Sequence, residues 1–444
     1  MMKDDSAAVS DTFEEIRSFS DDRERALRIM SILDKCKKQN GTDTFCLIDS
    51  LSTASATGFA QDVVPLALII ISICFCPVFP AFGIIAVVIS IMISIGVYFA
   101  GKNVMDENLR ALSVALRYIV CAGKLSEEGV KGFDEYRDLG NLAKASFLIP
   151  YKDASSSNPL SLLYDYIRMI THIDLIAYKI RINAVRNHHS EIKELYVKCG
   201  RLDACIAVSS YLRHRKHCDV RFSKDNRLFA KGLYHPLIID PVCNDIDATR
   251  GIVVTGSNAS GKSTFLKAVG ISTLMAASFG FAFADEYETG RFDLYTSMAL
   301  SDDILGGDSY YVVEAKSLKR IVDASNGGNI LCIVDEVLRG TNTVERIAAS
   351  TRILKALSKD GVLCFAATHD LELLSLLDKD MDSYYFTEEI TDGNVTFPYV
   401  INRGRTDRTN AIRLLCELGF DSEITDNANK LADRFKETGR WEAQ

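Results

Sequence analysis

The stretch Thr255-Gly-Ser-Asn-Ala-Ser-Gly-Lys-Ser-Thr264 constrains this chain more than any other. It follows the apolar run Gly251-Ile-Val-Val254 and precedes a helical pattern beginning near Phe265. Strand, glycine-rich loop and helix in that order is the context in which a backbone loop wraps phosphates. Its amides converge on the anion, and the following helix N-terminus adds a favourable dipole. Gly256 and Gly261 give the freedom for the close wrap. Ser257, Asn258, Ala259, Ser260 and Thr264 complete the binding segment. Lys262 reaches the outer phosphates, and the Ser263 hydroxyl is a Mg²⁺ ligand. The bland alternative is a chance glycine turn.

Two further apolar runs argue against chance. Ile330-Leu-Cys-Ile-Val334 ends in Asp335-Glu336. A buried strand that delivers two adjacent carboxylates to its C-terminal edge suits an open α/β nucleotide site. Asp335 is expected to hold Mg²⁺ and Glu336 to polarise the attacking water. Phosphoryl transfer needs mainly positioning and charge neutralisation, so these few groups suffice in principle. A solvated acidic turn is the alternative. Val362-Leu-Cys-Phe-Ala-Ala367 ends in Thr368-His369-Asp370. In this order after the carboxylates, His369 reads as a γ-phosphate sensor; alone it would be an ordinary surface or capping histidine.

In series, these residues resemble the ATPase domain of the MutS family, the DNA mismatch-repair ATPases and their relatives. His235-Pro236 with Asn244-Asp245, the phosphate loop, Ser309 to Glu314, Asp335-Glu-Val-Leu-Arg-Gly-Thr-Asn342, Thr368-His369 and Asn410 to Phe420 match the family's motifs in order, from about residue 230 to 435. The Leu-Ser-Gly-Gly-Gln signature of transporter-type ATPases is missing; Leu305 to Ser309 only echoes it. The resemblance implies a P-loop, ABC-type α/β ATPase domain that uses ATP and Mg²⁺. It implies a dimer, expected here as a homodimer, in which Ser309 of one subunit reaches the γ-phosphate bound to the other. Thr341 and Asn342 would then lie beside the seam. It also implies that Tyr234 and His235 lie near the adenine. Tyr234 stacks on the base or simply packs in the core.

From Val63 to Ala100 there is no charged residue, and Cys76-Pro-Val-Phe-Pro80 interrupts the run. Each half is roughly 17 to 20 residues, enough to span about 26–30 Å as helix. Neither half has a polar face beyond isolated serines, so a transmembrane hairpin through lipid over residues 63–100 is expected. A buried hairpin or an oligomer-sealing surface is the alternative. The ATPase must meet cytoplasmic ATP, so both flanks are placed on that side. Lys102 and Arg110 after the second span agree with that orientation.

The remaining organisation follows from periodicity. Residues from about 10 to 40 carry Phe13, Ile16, Ala26, Ile29, Met30 and Leu33 at helical spacing, and Leu162–Val185 and His189–Leu212 repeat the pattern. The expected division is a helical segment over 1–60, the hairpin over 61–101, a mainly α-helical core and lever over 102–222, and the ATPase with closing helices over 223–444. Twelve cysteines with no Cys-x-x-Cys pair indicate reduced, intracellular usage. The start, Met1-Met-Lys-Asp-Asp, is polar and reads as no signal peptide. Phe133-Asp-Glu135 matches the letters of the family's mismatch wedge without its flanking pattern, so mismatch reading is not expected. The net charge of −8 argues against an indiscriminate nucleic-acid binder. The basic run Arg213-His-Arg-Lys-His217 through Arg221 is either a phosphate contact or a solvated connector, and Arg403, Arg405 and Arg408 solvate a turn. The expected output is a membrane-tethered ATPase related to DNA binding or repair. The alternative is a membrane-embedded ATP-driven switch that never touches DNA.

Overall fold

The computed structural model describes residues 6–36, 43–54, 58–144, 159–257, 259–298, 310–391, 394–405, 412, 415–416 and 419–441. Two compact units emerge, one of residues 18–210 and one of residues 1–17 with 211–444.

The first unit is helical. Helix α1 (Ser6–Asp21) runs into it, followed by α2 (Arg23–Leu33), α3 (Thr44–Ser50), α4 (Ala60–Phe75), α5 (Pro80–Glu127), α6 (Pro159–Thr171), α7 (Ile173–Asn187) and α8 (His189–Leu212). Asp22 and Asp43 cap α2 and α3 by accepting backbone N–H groups of Arg25 and Phe45, both at 2.9 Å. Ile29, Ile48, Leu112, Leu116, Ile182, Val185 and Leu195 form its dry interior. Met30, expected on the buried face, is 47% exposed. Phe133 is core, packed beside Tyr136.

The apolar run departs from the expected symmetry of two equal spans. Helix α4 starts before Val63 and is 16 residues long, about 24 Å, short of a ~30 Å hydrocarbon core. Pro80 fits the first turn of α5, where its missing N–H costs nothing. Within α5 the apolar part, Pro80–Lys102, is long enough to cross a membrane, and only 22% of its most apolar window is buried. The helix does not stop there: its 48 residues continue unbroken to Glu127.

The Leu162–Val185 pattern is broken at His172, which takes a left-handed conformation between α6 and α7 (φ 52°). The break serves a buried polar cluster. The His172 ring contacts the Ser94 carbonyl at 2.9 Å and Asp62 at 3.4 Å, and Lys179 is ion-paired with Asp62. Tyr98 donates its hydroxyl to Asp174 at 2.8 Å.

The second unit is α/β. Strands β1 (Cys218–Phe222), β2 (Leu228–Leu233), β3 (Asn244–Ala248) and β4 (Ile252–Thr255) lead to helix α9 (Lys262–Phe279). Strands β5 (Phe281–Ala282), β6 (Glu286–Thr289) and β7 (Asp293–Ser297) follow, then α10 (Tyr310–Ala324), β8 (Ile330–Asp335), α11 (Thr343–Ala356) and β9 (Val362–Ala367). The chain ends with α12 (Glu372–Leu376), β10 (Asp382–Phe386), β11 (Glu389–Thr391), β12 (Asn394–Thr396), β13 (Ile401–Arg403) and α13 (Ser422–Thr438). One sheet has the order β3-β2-β6-β1-β5, and the main sheet β13-β10-β4-β9-β8-β7. In the main sheet all neighbours are parallel except β13.

The three predicted apolar runs are the centre of this sheet, and burial on both faces explains their unbroken hydrophobicity. Alternate residues serve opposite sides. Val254, Ile333 and Phe365 pack with Phe265 and Val269 of α9. Val253, Cys332 and Cys364 pack with Leu318 of α10 and Leu354 of α11. Because the strands are parallel and in register, with Val254 and Asp335 both opposite Ala367, they deliver the loops that follow them to one edge.

Candidate nucleotide site

At that edge the loop after β4 is forced into backbone shapes that its sequence permits. Gly256 has φ 147°, and an added Cβ would stand 2.8 Å from the Ser260 hydroxyl and 3.0 Å from the Phe386 carbonyl. Gly261 (φ 107°) opens α9, and Ala259 is left-handed at φ 67°. The Lys262 ammonium folds back and donates to the carbonyls of Gly256 (2.7 Å) and Ser257 (2.8 Å). Ser257 in turn donates to Glu388 at 2.6 Å. Asn258 lies outside the described residues.

A cavity of about 550 Å³ opens beside the loop. Its lining includes Ala259 to Phe265, Glu336, Tyr234, His235, Phe386 and Tyr399. Two buried side-chain oxygens, the Ser260 hydroxyl in that lining and Asp335 Oδ1 at the end of β8, have no hydrogen-bond partner among the described residues. Buried polar atoms of this kind need a partner. A carboxylate oxygen with spare acceptor capacity and a serine hydroxyl, that of Ser263 in the cavity lining, are ligand types suited to a hard cation such as Mg²⁺.

Glu336 sits at φ 60° and Leu338 at φ 57°, conformations that cost of order 1–3 kcal/mol each and persist only when neighbours impose them. The neighbours are visible. Glu336 N–H bonds the Ala367 carbonyl at 3.0 Å. Its carboxylate meets His369 Nε2 at 2.9 Å and Arg339 at 2.5 Å. Glu314, 2% exposed, accepts the amides of Leu338 (2.6 Å) and Arg339 (3.1 Å). Burial pushes the Glu314 carboxyl above its ordinary range, and those two amides act the other way. The sequence placed Glu314 at the end of the Ser309 motif but gave it no role. Ser309 itself lies outside the described residues.

The comparisons with known proteins agree on the family. The family description "MutS domain V" matches residues 252–436. Over that stretch the chain resembles a MutS domain V. It is similar to "DNA mismatch repair protein MutS 1" of Halobacterium salinarum, 34% identical over 221 residues, which is 47% of this chain and 25% of that protein. The MutS proteins of Chloroflexus aurantiacus and Thermotoga maritima are each 29% identical, over 55% and 60% of this chain and 27% and 34% of their own lengths. The matched stretch thus spans about a quarter to a third of these relatives.

Outside and within that matched stretch, the other expected residues have definite places. Tyr234 is 7% exposed, donates to the Lys216 carbonyl at 2.6 Å and meets Phe283 edge-on. Those contacts are core packing, although one side of it lines the cavity. A more exposed aromatic in the lining is Tyr399, 45% exposed and packed beside Phe397, which the sequence reading passed over. His235 is partly buried, its protonation disfavoured by burial and then by Lys267. Asn342 caps α11, accepting the Glu345 amide at 3.0 Å, and Thr341 donates to Glu345 at 3.3 Å. The basic run is largely spent locally: Lys216 pairs with Asp285, Arg221 with Glu286, and Arg215 lies over Tyr211. Arg403 pairs with Asp382 and Arg405 with Asp378, and Arg408 lies outside the described residues.

Burial lowers the Lys262 pKa to about 8, while Glu336 and Asp335 act in the opposite sense. A bound phosphate favours the ammonium, so above pH 8 binding must first restore a proton. Nucleotide affinity is therefore expected to be flat below pH 8 and to fall by about tenfold per pH unit above it. Calorimetric titration in buffers of different ionisation enthalpy measures both the affinity and the proton uptake. An affinity constant from pH 7 to 9.5 would contradict the assignment.

Proposed function

We propose that this chain hydrolyses ATP to ADP and phosphate in composite sites of a MutS-type dimer. The observation that carries the reading is that Gly256, Asp335-Glu336 and His369 stand at or just beyond the ends of adjacent parallel strands, with Ala259 to Thr264 and Glu336 lining one cavity. Lys262 and the loop amides bind the phosphates. Ser263 and Asp335 hold Mg²⁺, which supplies positive charge against the phosphate oxygens. Glu336 orients the attacking water, His369 responds to the γ-phosphate, and Ser309 closes the partner's site. Tyr399 offers its face to the base. Closure on ATP and release after hydrolysis then bias the attached helices between two states.

The mismatch-repair names of the relatives favour an output on DNA. A specific feature favours a bilayer as well. Ile70, Ile71, Val78, Phe82, Ile84, Ile85 and Met92 are each more than half exposed on α4, the turn after it and α5. Burying such side chains contributes about 1.5–3 kcal/mol apiece, which lipid supplies and water does not. We therefore read the hairpin as a membrane tether with the ATPase on the cytoplasmic side. The remaining alternative is an ATP-driven membrane switch without DNA. Phosphate release that requires Mg²⁺, resistance of the membrane-bound protein to carbonate extraction, and a salt-sensitive gel shift with duplex DNA are the expected results. Absence of turnover overturns the enzymatic reading, release by carbonate overturns the tether, and absence of any shift leaves the DNA-free switch.

A further inference from the structure

We infer that Arg346 and Asp370, which are not part of the phosphate-binding set, form a positioning pair that fixes His369 against Glu336. The inference rests on the ATPase reading of this site and extends it to two residues with no role in that reading.

The pair is bidentate. Arg346 Nε donates to Asp370 Oδ2 at 2.9 Å and Nη2 to Oδ1 at 2.7 Å. The side chains are only 24% and 14% exposed. Two parallel N–H···O bonds fix orientation as well as distance, which a single ion pair does not. Arg346 lies in the first turn of α11, the helix that the 336–342 loop runs into. Asp370 is the residue after His369. A closed ring results: Glu336, its loop, the start of α11, Arg346, Asp370, His369, and back to Glu336 through the 2.9 Å contact.

Other bonds leave the ring little slack. Thr368 N–H bonds the Val254 carbonyl at 3.0 Å, and Asp370 N–H bonds the Thr368 hydroxyl at 3.0 Å. His369 is therefore flanked on both sides by anchored residues. Asn342 fixes the start of α11. If the Arg346–Asp370 link is cut, the turn carrying His369 keeps its bond to β4 and the packing of α12 on α11, but loses its own hydrogen bonds to α11. Glu336, held at φ 60°, then loses the lateral support of the imidazole. Neither Arg346 nor Asp370 lines the cavity, so the effect falls on turnover and not on nucleotide affinity.

The test is a double-mutant cycle on the full chain. Arg346→Ala and Asp370→Ala are each expected to lower ATP turnover by about 10- to 100-fold, the scale of a misplaced catalytic group. ADP affinity is expected to stay within about threefold, and the double variant to be no slower than the slower single one, because the two act as a unit. Arg346→Lys, which keeps the charge and loses the fork, is expected to fall between. The second readout is the His369 ring resonance in the nucleotide-free, histidine-labelled protein, assigned with His369→Gln. Asp370→Ala is expected to shift it in the same direction as Glu336→Gln does. Turnover within twofold of wild type in both single variants, a multiplied loss in the double variant, or an unmoved His369 signal would overturn the inference. A wild-type protein without turnover overturns the enzymatic reading alone, and the His369 signal still decides the pair.

Discussion

Glu336→Gln is expected to lower ATP turnover by roughly a thousandfold, within the range for loss of a positioned base, while ADP and ATP still bind. The substitution keeps size and shape and removes only the charge. On the proposed reading, binding rests on Lys262 and the loop amides; no hydrogen bond from Glu336 to them is among the contacts described, and its charge acts on Lys262 only through space. The Glu336–Arg339 ion pair is lost, but Arg339 is 61% exposed there, and exposed pairs contribute little. Stability should therefore hardly change. Phosphate release under saturating ATP and Mg²⁺ measures the first effect, and calorimetric titration with ADP measures the second. A variant that turns over like wild type removes Glu336 from the mechanism. A variant that no longer binds nucleotide shows that the residue shapes the cavity instead.

The positions of the glycine-rich loop, the Asp335-Glu336 carboxylates and His369 at strand ends were legible because each follows a run of apolar residues. Such runs are the signature of strands buried on both faces, and parallel strands in register bring their ends together. Glu314, Tyr399, Arg346 and Asp370 were not legible as a set for the complementary reason. Their roles come from pairing across elements far apart in sequence. Glu314 meets Leu338 across 24 positions, and Arg346 meets Asp370 across another 24. No local period reports such a contact. The break at His172 was hidden in the same way. The apolar spacing runs straight through it, and only the tertiary demand of Ser94 and Asp62 favours a left-handed histidine there. The hairpin is a third case. Hydropathy marked the apolar run but gave no sign that α5 continues past it to Glu127, because helix continuation depends on propensity and packing and not on polarity.

That buried cluster leads to the second large effect. Lys179→Ala is expected to destabilise the helical unit by about 3–5 kcal/mol, the cost of leaving one member of a buried ion pair alone. Asp62 and Lys179 are each about 3% exposed, and His172 is fully buried beside them. With the ammonium gone, the Asp62 carboxylate keeps, among the described residues, the His172 ring at 3.4 Å. The loss is a large part of the 5–15 kcal/mol that holds a typical domain. The cost arises from the uncompensated charge and not from the missing attraction, so Asp62→Asn with Lys179→Met should recover most of it. Thermal unfolding followed by circular dichroism in detergent compares the three proteins. If Lys179→Ala melts with wild type, the pair contributes nothing. If the double variant is as unstable as the single one, packing by the lysine stem, and not charge, secures α7 to the start of α4. In either case, the apolar helices would depend on something other than this ion pair for their attachment to the rest of the helical unit.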